Sequence, residues 1–127
     1  MFDSGLIDVC KKNDMGVIIG GVLNQGFADE LINIRPDAAN QMKNDPNPDA
    51  ALRGIKLGLL YDLCAQSGIP ILDLSMRYAL SFDEIHCHIP GARFETHVKQ
   101  NIEISRKGSL PKDVVEQIVN ISKNVKI

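Results

Sequence analysis

The sequence predicts an α/β fold of short parallel strands covered by helices, and three observations point to it. "GVIIG", Gly16 to Gly20, is a continuous β-branched run, apolar on both faces. That is the pattern of a parallel strand with cover on each side, not of a strand alternating between core and water. A second run of strand length, Ile85 to Ile89, alternates and stops at Pro90 and Gly91. Between and after the two runs lie stretches whose apolar residues recur at helical spacing.

Taken in order, "SGLIDVCKKND" puts Leu6, Ile7 and Cys10 on one helical face, with Ser4 as the N-cap and Lys11, Lys12 and Asn13 closing the element. Strand Gly16 to Gly20 follows and runs directly into a glycine turn. From Asn24 to Ala50 the composition shifts to Asn, Asp, Pro and Ala, which predicts a long connection with room for one helical turn, a lid or a disordered loop. Leu52, Ile55, Leu59, Leu60 and Leu63 mark a helix running to Ser67, with Gly68 as its C-cap. Pro70 sits where a first-turn proline is tolerated, so "ILDLSMRYALS" reads as a second helix with a broad apolar face from Ile71 to Leu80. After the strand Ile85 to Ile89, Phe94 to Ile104 carries Val98 and Ile102 on one face of a helix with Glu95 in its first turn. A last helix begins near Ser109 or Leu110, with Pro111 in its first turn, Asp113 favourable to its dipole, and Val114, Val115, Ile118, Val119 and Ser122 on its buried side.

The whole chain limits what this fold can do. Its 127 residues suit one modest domain, well short of the roughly 200 or more that a complete eight-stranded α/β barrel needs. With 14 Lys and Arg against 16 Asp and Glu and no basic block, the charge pattern of a nucleic-acid binder is missing. Cys10, Cys64 and Cys87 stand far apart with no CxxC pair, which predicts reduced thiols, with Cys10 and Cys87 in the core. The apolar run Gly16 to Leu23 is too short to span a membrane, and no basic n-region of a signal peptide opens the chain. The expectation is a cytoplasmic protein with no membrane and no nucleic-acid partner.

Three stretches carry a resemblance. "LIDVCKKNDMGVIIGGVLNQG", "LCAQSGIPILDLSMRYALS" and "IPGARFETHVKQNIEI" resemble the C-terminal part of the aldo/keto reductase family, in its branch of aldose, L-fucose or D-galactose 1-dehydrogenases. The first is similar to the helix and seventh barrel strand of that branch, the second to the helix pair before strand eight, and the third to the strand-eight turn and the helix after it. The resemblance implies a C-terminal fragment of a (β/α)8 TIM barrel, with two parallel strands and four to five helices. It makes residues 1–127 a partial NAD(P)-dependent oxidoreductase domain, with the loop or lid at about 24–50.

The last stretch also has a reading of its own. Pro90 ends the strand, Gly91 lets backbone approach a ligand, and the amides of Gly91, Ala92 and Arg93 precede a helix whose dipole favours an anion. Arg93 can pair bidentately with a phosphate or stack on an adenine. By resemblance, Gly91, Ala92 and Arg93 would wrap the adenosine ribose or its 2′-phosphate, with Gln100 and Asn101 near the adenine. His97 falls where many relatives place an arginine and Gln100 where many place a glutamate, which leaves NAD against NADP open. Gly20, Gly21, Val22, Leu23, Asn24 and Gly26 resemble the loop that passes the nicotinamide and pyrophosphate. That loop is not a GxGxxG fingerprint, and no Lys-Ser/Thr follows it to make a P-loop.

Other chemistry is sparse. His86 and His88 lie on one side of a strand as two metal ligands could, but no third ligand is evident and no metal is assigned. Asp73, Asp83 and Glu84 show no pairing that demands acid or base work. Catalysis in the family uses an Asp, a Tyr, a Lys and a His from the first half of the barrel, where the resemblance does not reach, so no residue here is assigned a catalytic role. The expected function is the cofactor-binding part of an oxidoreductase acting on an aldose or similar small alcohol or aldehyde. The alternative is a non-catalytic truncated remnant or nucleotide-binding module. Strands without neighbours predict self-association or pairing with a missing N-terminal half.

Overall fold

The computed structural model describes residues 4–21 and 36–125. Among them are six helices and two strands. The first helix, α1 (Leu6–Lys12), starts from Gly5 in the left-handed region at φ 72°. Gly5, not Ser4, holds the cap position, while the Ser4 hydroxyl accepts the Leu6 N–H at 3.4 Å. The chain then enters β1 (Ile18–Gly20), which pairs in parallel with β2 (Cys87–Ile89). The register sets Ile18 against Cys87, Ile19 against His88 and Gly20 against Ile89. Parallel pairing is what the sequence predicts, but the ladder is shorter than the runs 16–20 and 85–89.

Cover on both faces is not what the structure shows. Ile18 is 65% exposed and Ile89 61%, and only the middle pair, Ile19 and His88, is half-buried. Three residue pairs offer a helix too little surface to pack on, and the helices pack on one another instead. Cys87 is exposed for the same reason, contrary to the expectation of a core thiol, and Cys10 is half-buried.

The core lies between three helices. Leu63 of α3 (Pro48–Ser67), Leu74 of α4 (Ile71–Ala79) and Val114 and Ile118 of α6 (Lys112–Asn124) meet in one buried cluster with Leu110. Each such side chain stabilises the fold by about 1.5–3 kcal/mol through removal from water. The helix ends follow their sequence signals. Gly68 caps α3 at φ 69° with its N–H on the Cys64 carbonyl at 2.9 Å, and Pro70 and Pro111 stand at the caps of α4 and α6.

The stretch expected to be a loop or lid at about 24–50 is mostly helical where it is described, apart from residues 44–47. A helix, α2 (Pro36–Lys43), lies against α3, which itself begins at Pro48, with the Asn47 side chain accepting the Asp49 N–H at 2.9 Å. Pro48 stands at a first-turn position, where the missing N–H costs nothing, and Pro46 lies in the bend between the two helices. Contact between the two helices is close. A Cβ on Gly54 would lie 2.6 Å from both the Lys43 nitrogen and the Met42 Cβ, so only glycine lets the helices approach to this distance.

The turn between α5 (Glu95–Arg106) and α6 is strapped to α4. Arg77 donates from Nε to the Gly108 carbonyl at 3.0 Å and from Nη2 to the Ser109 carbonyl at 2.8 Å. The Ser81 hydroxyl accepts the Leu110 N–H at 2.9 Å, and the buried Asp73 pairs with Lys107. Among the described residues no helix is long and apolar enough to cross a membrane.

Candidate functional site

Because β1 and β2 are parallel and in register, the turns that follow them leave the sheet at the same end. Gly20 opposes Ile89 in the ladder, and Gly21 takes the left-handed region at φ 68°, where a side chain would be strained. The carboxyl end of a parallel sheet is also where α/β proteins gather their ligand-binding loops. Val22, Leu23 and Asn24 lie outside the described residues.

The turn after β2 is built in more detail. Pro90 ends the strand, and Gly91, Ala92 and Arg93 run exposed to α5, which starts at Glu95 from an extended Phe94. A Cβ on Gly91 would meet nothing within 4 Å, so the space over this backbone is open to a ligand. Asn101, only 9% exposed, donates from Nδ2 to the Gly91 carbonyl at 3.1 Å. It thereby ties the turn to the second coil of α5. Of the three amides expected to face an anion, the Arg93 N–H is already committed. It donates to Nδ1 of His97 at 3.3 Å, and the His97 ring stands edge-on to Phe94 with centroids 5.2 Å apart. Gln100 is exposed on α5.

Beside this turn opens a cleft of about 490 Å³, lined by Pro90, Ala92, Val98, Asn101, Ile102 and Arg106, among others. Its volume falls in the range typical of small-molecule sites, roughly 300–1,000 Å³. Val98 and Ile102, the pair read from the sequence as one apolar face of the helix, are 46% and 47% exposed and line this cleft, while Asn101 and Ile104 supply the buried side. The structure therefore brings Gly91, Ala92, Arg93, His97 and Asn101 together. Sequence reasoning missed Pro90, Val98, Ile102 and Arg106 as lining residues. For Val98 and Ile102 the signal was present as apolar positions four apart on a helix otherwise rich in polar residues.

Electrostatics elsewhere offer little acid–base chemistry. Burial pushes the Cys64 thiol up to about 11 and raises the Tyr78 and Tyr61 phenols above their ordinary value, so these groups stay protonated at neutral pH. Burial lowers His88, whose Nδ1 is buried with no hydrogen-bond partner among the described residues. His86 lies just before β2 and uses its Nδ1 to accept the Val17 N–H at 3.0 Å. Among the described residues no group of three or more His, Cys, Asp or Glu side chains could hold a metal ion.

Comparison with known proteins gives one result at the family level. No curated protein and no solved structure matches the chain. The model of the aldo/keto reductase family matches residues 1–123, nearly the whole sequence. The chain belongs to the aldo/keto reductase family.

Proposed function

We propose that this chain carries the cofactor-binding end of an NAD(P)-dependent oxidoreductase acting on an aldose or a similar small alcohol or aldehyde. The family generally uses NAD(P)H, and membership in it suggests an oxidoreductase. The observation that carries the reading is the open turn Gly91 to Phe94 beside the apolar cleft of α5.

The residues present fit the adenosine-phosphate end of such a cofactor. Ala92, Val98 and Ile102 offer an apolar wall to an adenine face, and the Arg93 guanidinium, next to the start of α5, can pair with a phosphate through two parallel hydrogen bonds. Asn101 serves by holding the Gly91 carbonyl, which keeps the backbone low enough for a ligand to pass over it. Gly20, at the same end of the sheet, has open space where a side chain would stand, which suits the approach of the remainder of the dinucleotide. When bound, NAD(P) supplies the hydride acceptor or donor. The chain's own part is to bind and orient it, and in this reading none of its residues transfers the substrate proton.

Calorimetric titration of the purified chain with 2′,5′-ADP and with AMP tests the reading. Weak binding is expected, and Arg93→Ala should weaken it by about 1.5–3 kcal/mol, the range for a hydrogen bond to a charged group. Equal titrations for wild type and Arg93→Ala would remove the arginine from the site. A steady oxidation of L-fucose or D-galactose by the chain alone would show that proton transfer is supplied from within it.

A further inference from the structure

All three histidines of the chain, His86, His88 and His97, fall within one stretch from the start of β2 to the first turn of α5. At His86 and His97 the fold uses Nδ1 as a hydrogen-bond acceptor. His86 accepts the Val17 N–H there at 3.0 Å. Its own N–H and that of Cys87 both donate back to the Val17 carbonyl, at 3.0 and 3.3 Å, so the imidazole completes a three-bond junction at the head of the β1–β2 pair. His97 accepts the Arg93 N–H at 3.3 Å and fixes the turn at the other end of β2. His88, between them and opposite Ile19, keeps Nδ1 buried with no partner among the described residues.

We propose that His86 and His97 form a proton-operated latch on the two ends of β2: neutral, each holds a backbone amide; protonated at Nδ1, each releases it and the sheet end and cofactor turn loosen. The chemistry is simple. A ring nitrogen that carries a proton has no lone pair to accept an N–H, so donor then faces donor. Histidine is also the side chain whose charge ordinarily changes between about pH 5 and 8. His88 adds to the same direction, because a proton there would be charge placed in a partly dry site next to the latch.

The other charged groups around the latch do not carry this change. On the α1 side they are Lys11 and Glu84, paired at 2.7 Å, with Asp8 and Asp83 beside Lys11. On α5 they are Arg93 and the Glu95–Lys99 pair, also at 2.7 Å. Carboxylates ordinarily protonate near pH 4, below the interval of about pH 5 to 8 in which histidine side chains ordinarily change charge. Loss of an amide at Arg93 and loss of one at Val17 are separate events in separate turns, so two independent amides report on one mechanism.

Amide hydrogen exchange and imidazole ¹⁵N shifts of the full chain, measured by NMR at pH 8 and pH 5.5 without any ligand, test it independently of cofactor binding. After correction for intrinsic exchange, protection of the Val17 and Arg93 amides should fall about three- to tenfold more than that of the α6 amides at the lower pH, the worth of one hydrogen bond. At pH 8 both rings should show the tautomer with the proton on Nε2. His86→Asn and His97→Asn place a carbonyl oxygen that accepts but does not titrate close to Nδ1, and should keep protection constant across the range. The proposal is overturned if either amide holds its protection in the wild type, if either ring carries its proton on Nδ1 at pH 8, if α6 loses protection in parallel, or if the Asn variants loosen as the wild type does.

Discussion

Gly54→Ala is expected to destabilise the chain although it improves an α-helix, and Gly58→Ala, one turn further along the same helix, is expected not to. Both positions lie inside α3, where replacing glycine by alanine should gain about 1 kcal/mol of helix propensity. At Gly54 the added methyl would sit 2.6 Å from the Lys43 nitrogen and 2.7 Å from the Met42 carbonyl carbon. These are backbone atoms of α2 and have no rotamer to escape into, so α2 must retreat by about 1 Å to restore ordinary contact. Overpacking of this kind costs about 1–3 kcal/mol. The retreat also exposes Ala39, 1% exposed in the docked helix, together with half-buried Met42. Setting the propensity gain against that cost leaves a net loss of up to about 2 kcal/mol for Gly54→Ala. At Gly58 the methyl meets only the far end of the Lys43 side chain, Cε at 3.2 Å and Nζ at 3.4 Å, which can swing aside, so the propensity gain survives. Urea unfolding followed by circular dichroism would compare the two, with a separation of about 1–3 kcal/mol in opposite directions expected. If Gly54→Ala proves as stable as Gly58→Ala, α2 does not dock on α3 in the way described.

The remaining predictions concern the strap, the pH response and the sheet. Arg77→Ala removes the hydrogen bonds to the Gly108 and Ser109 carbonyls and should cost about 1.5–3 kcal/mol in the same unfolding assay; a loss under 0.5 kcal/mol would show that the strap is idle. Burial lowers the pKa of His88 below the ordinary histidine value, so the unfolded chain binds the proton more readily, and stability should decline as pH falls through about 6.5 and below. His88→Phe should flatten that decline, and an unchanged slope would place its cause elsewhere. The bare sheet should make the chain self-associate, or become ordered on addition of a polypeptide supplying the front strands of a related reductase. Light scattering that shows a monodisperse, well-protected monomer indifferent to that addition would refute it.

What could be read in the sequence, and what could not, separates along physical lines. Helices α3, α4 and α6 were legible because local signals agree with burial: apolar residues repeat on one face, and Gly68, Pro70 and Pro111 mark the ends. Parallel pairing was legible because the first strand run, Gly16 to Gly20, lacks the alternation of a one-sided sheet. Helix α2 was hidden by its Asn, Asp and Pro content. The clue to it lay elsewhere, in Gly54 and Gly58 spaced four residues apart on α3, a groove that only a second helix explains. The candidate turn was readable as far as Gly91, Ala92 and Arg93. The tasks of Asn101 and His97 were not, since each reaches back along the chain to a backbone group, and hydrogen bonds of that kind leave no periodicity.

The exposed strands connect these points to function. A run such as Val17 to Gly21 gains most when both faces are dry, at about 25 cal/mol for each Å² of apolar surface removed from water. Yet Ile18 and Ile89, the outer members of the ladder, stay more than half exposed. The helical core around Leu63, Leu74 and Val114 does not depend on them, because its contacts run between α3, α4 and α6. Stability and site are thus carried by different parts of the molecule: the helices hold themselves together, while the sheet end that presents Gly21 and Gly91 rests on a three-pair ladder, the His86 junction and the Asn101 tie. Further strands beside β1 and β2 would bury that ladder and stiffen both glycine turns at once. Completion of the sheet should therefore tighten adenosine-phosphate binding more than it raises the stability of the helical core, and a titration with 2′,5′-ADP before and after adding the front strands would show that ordering.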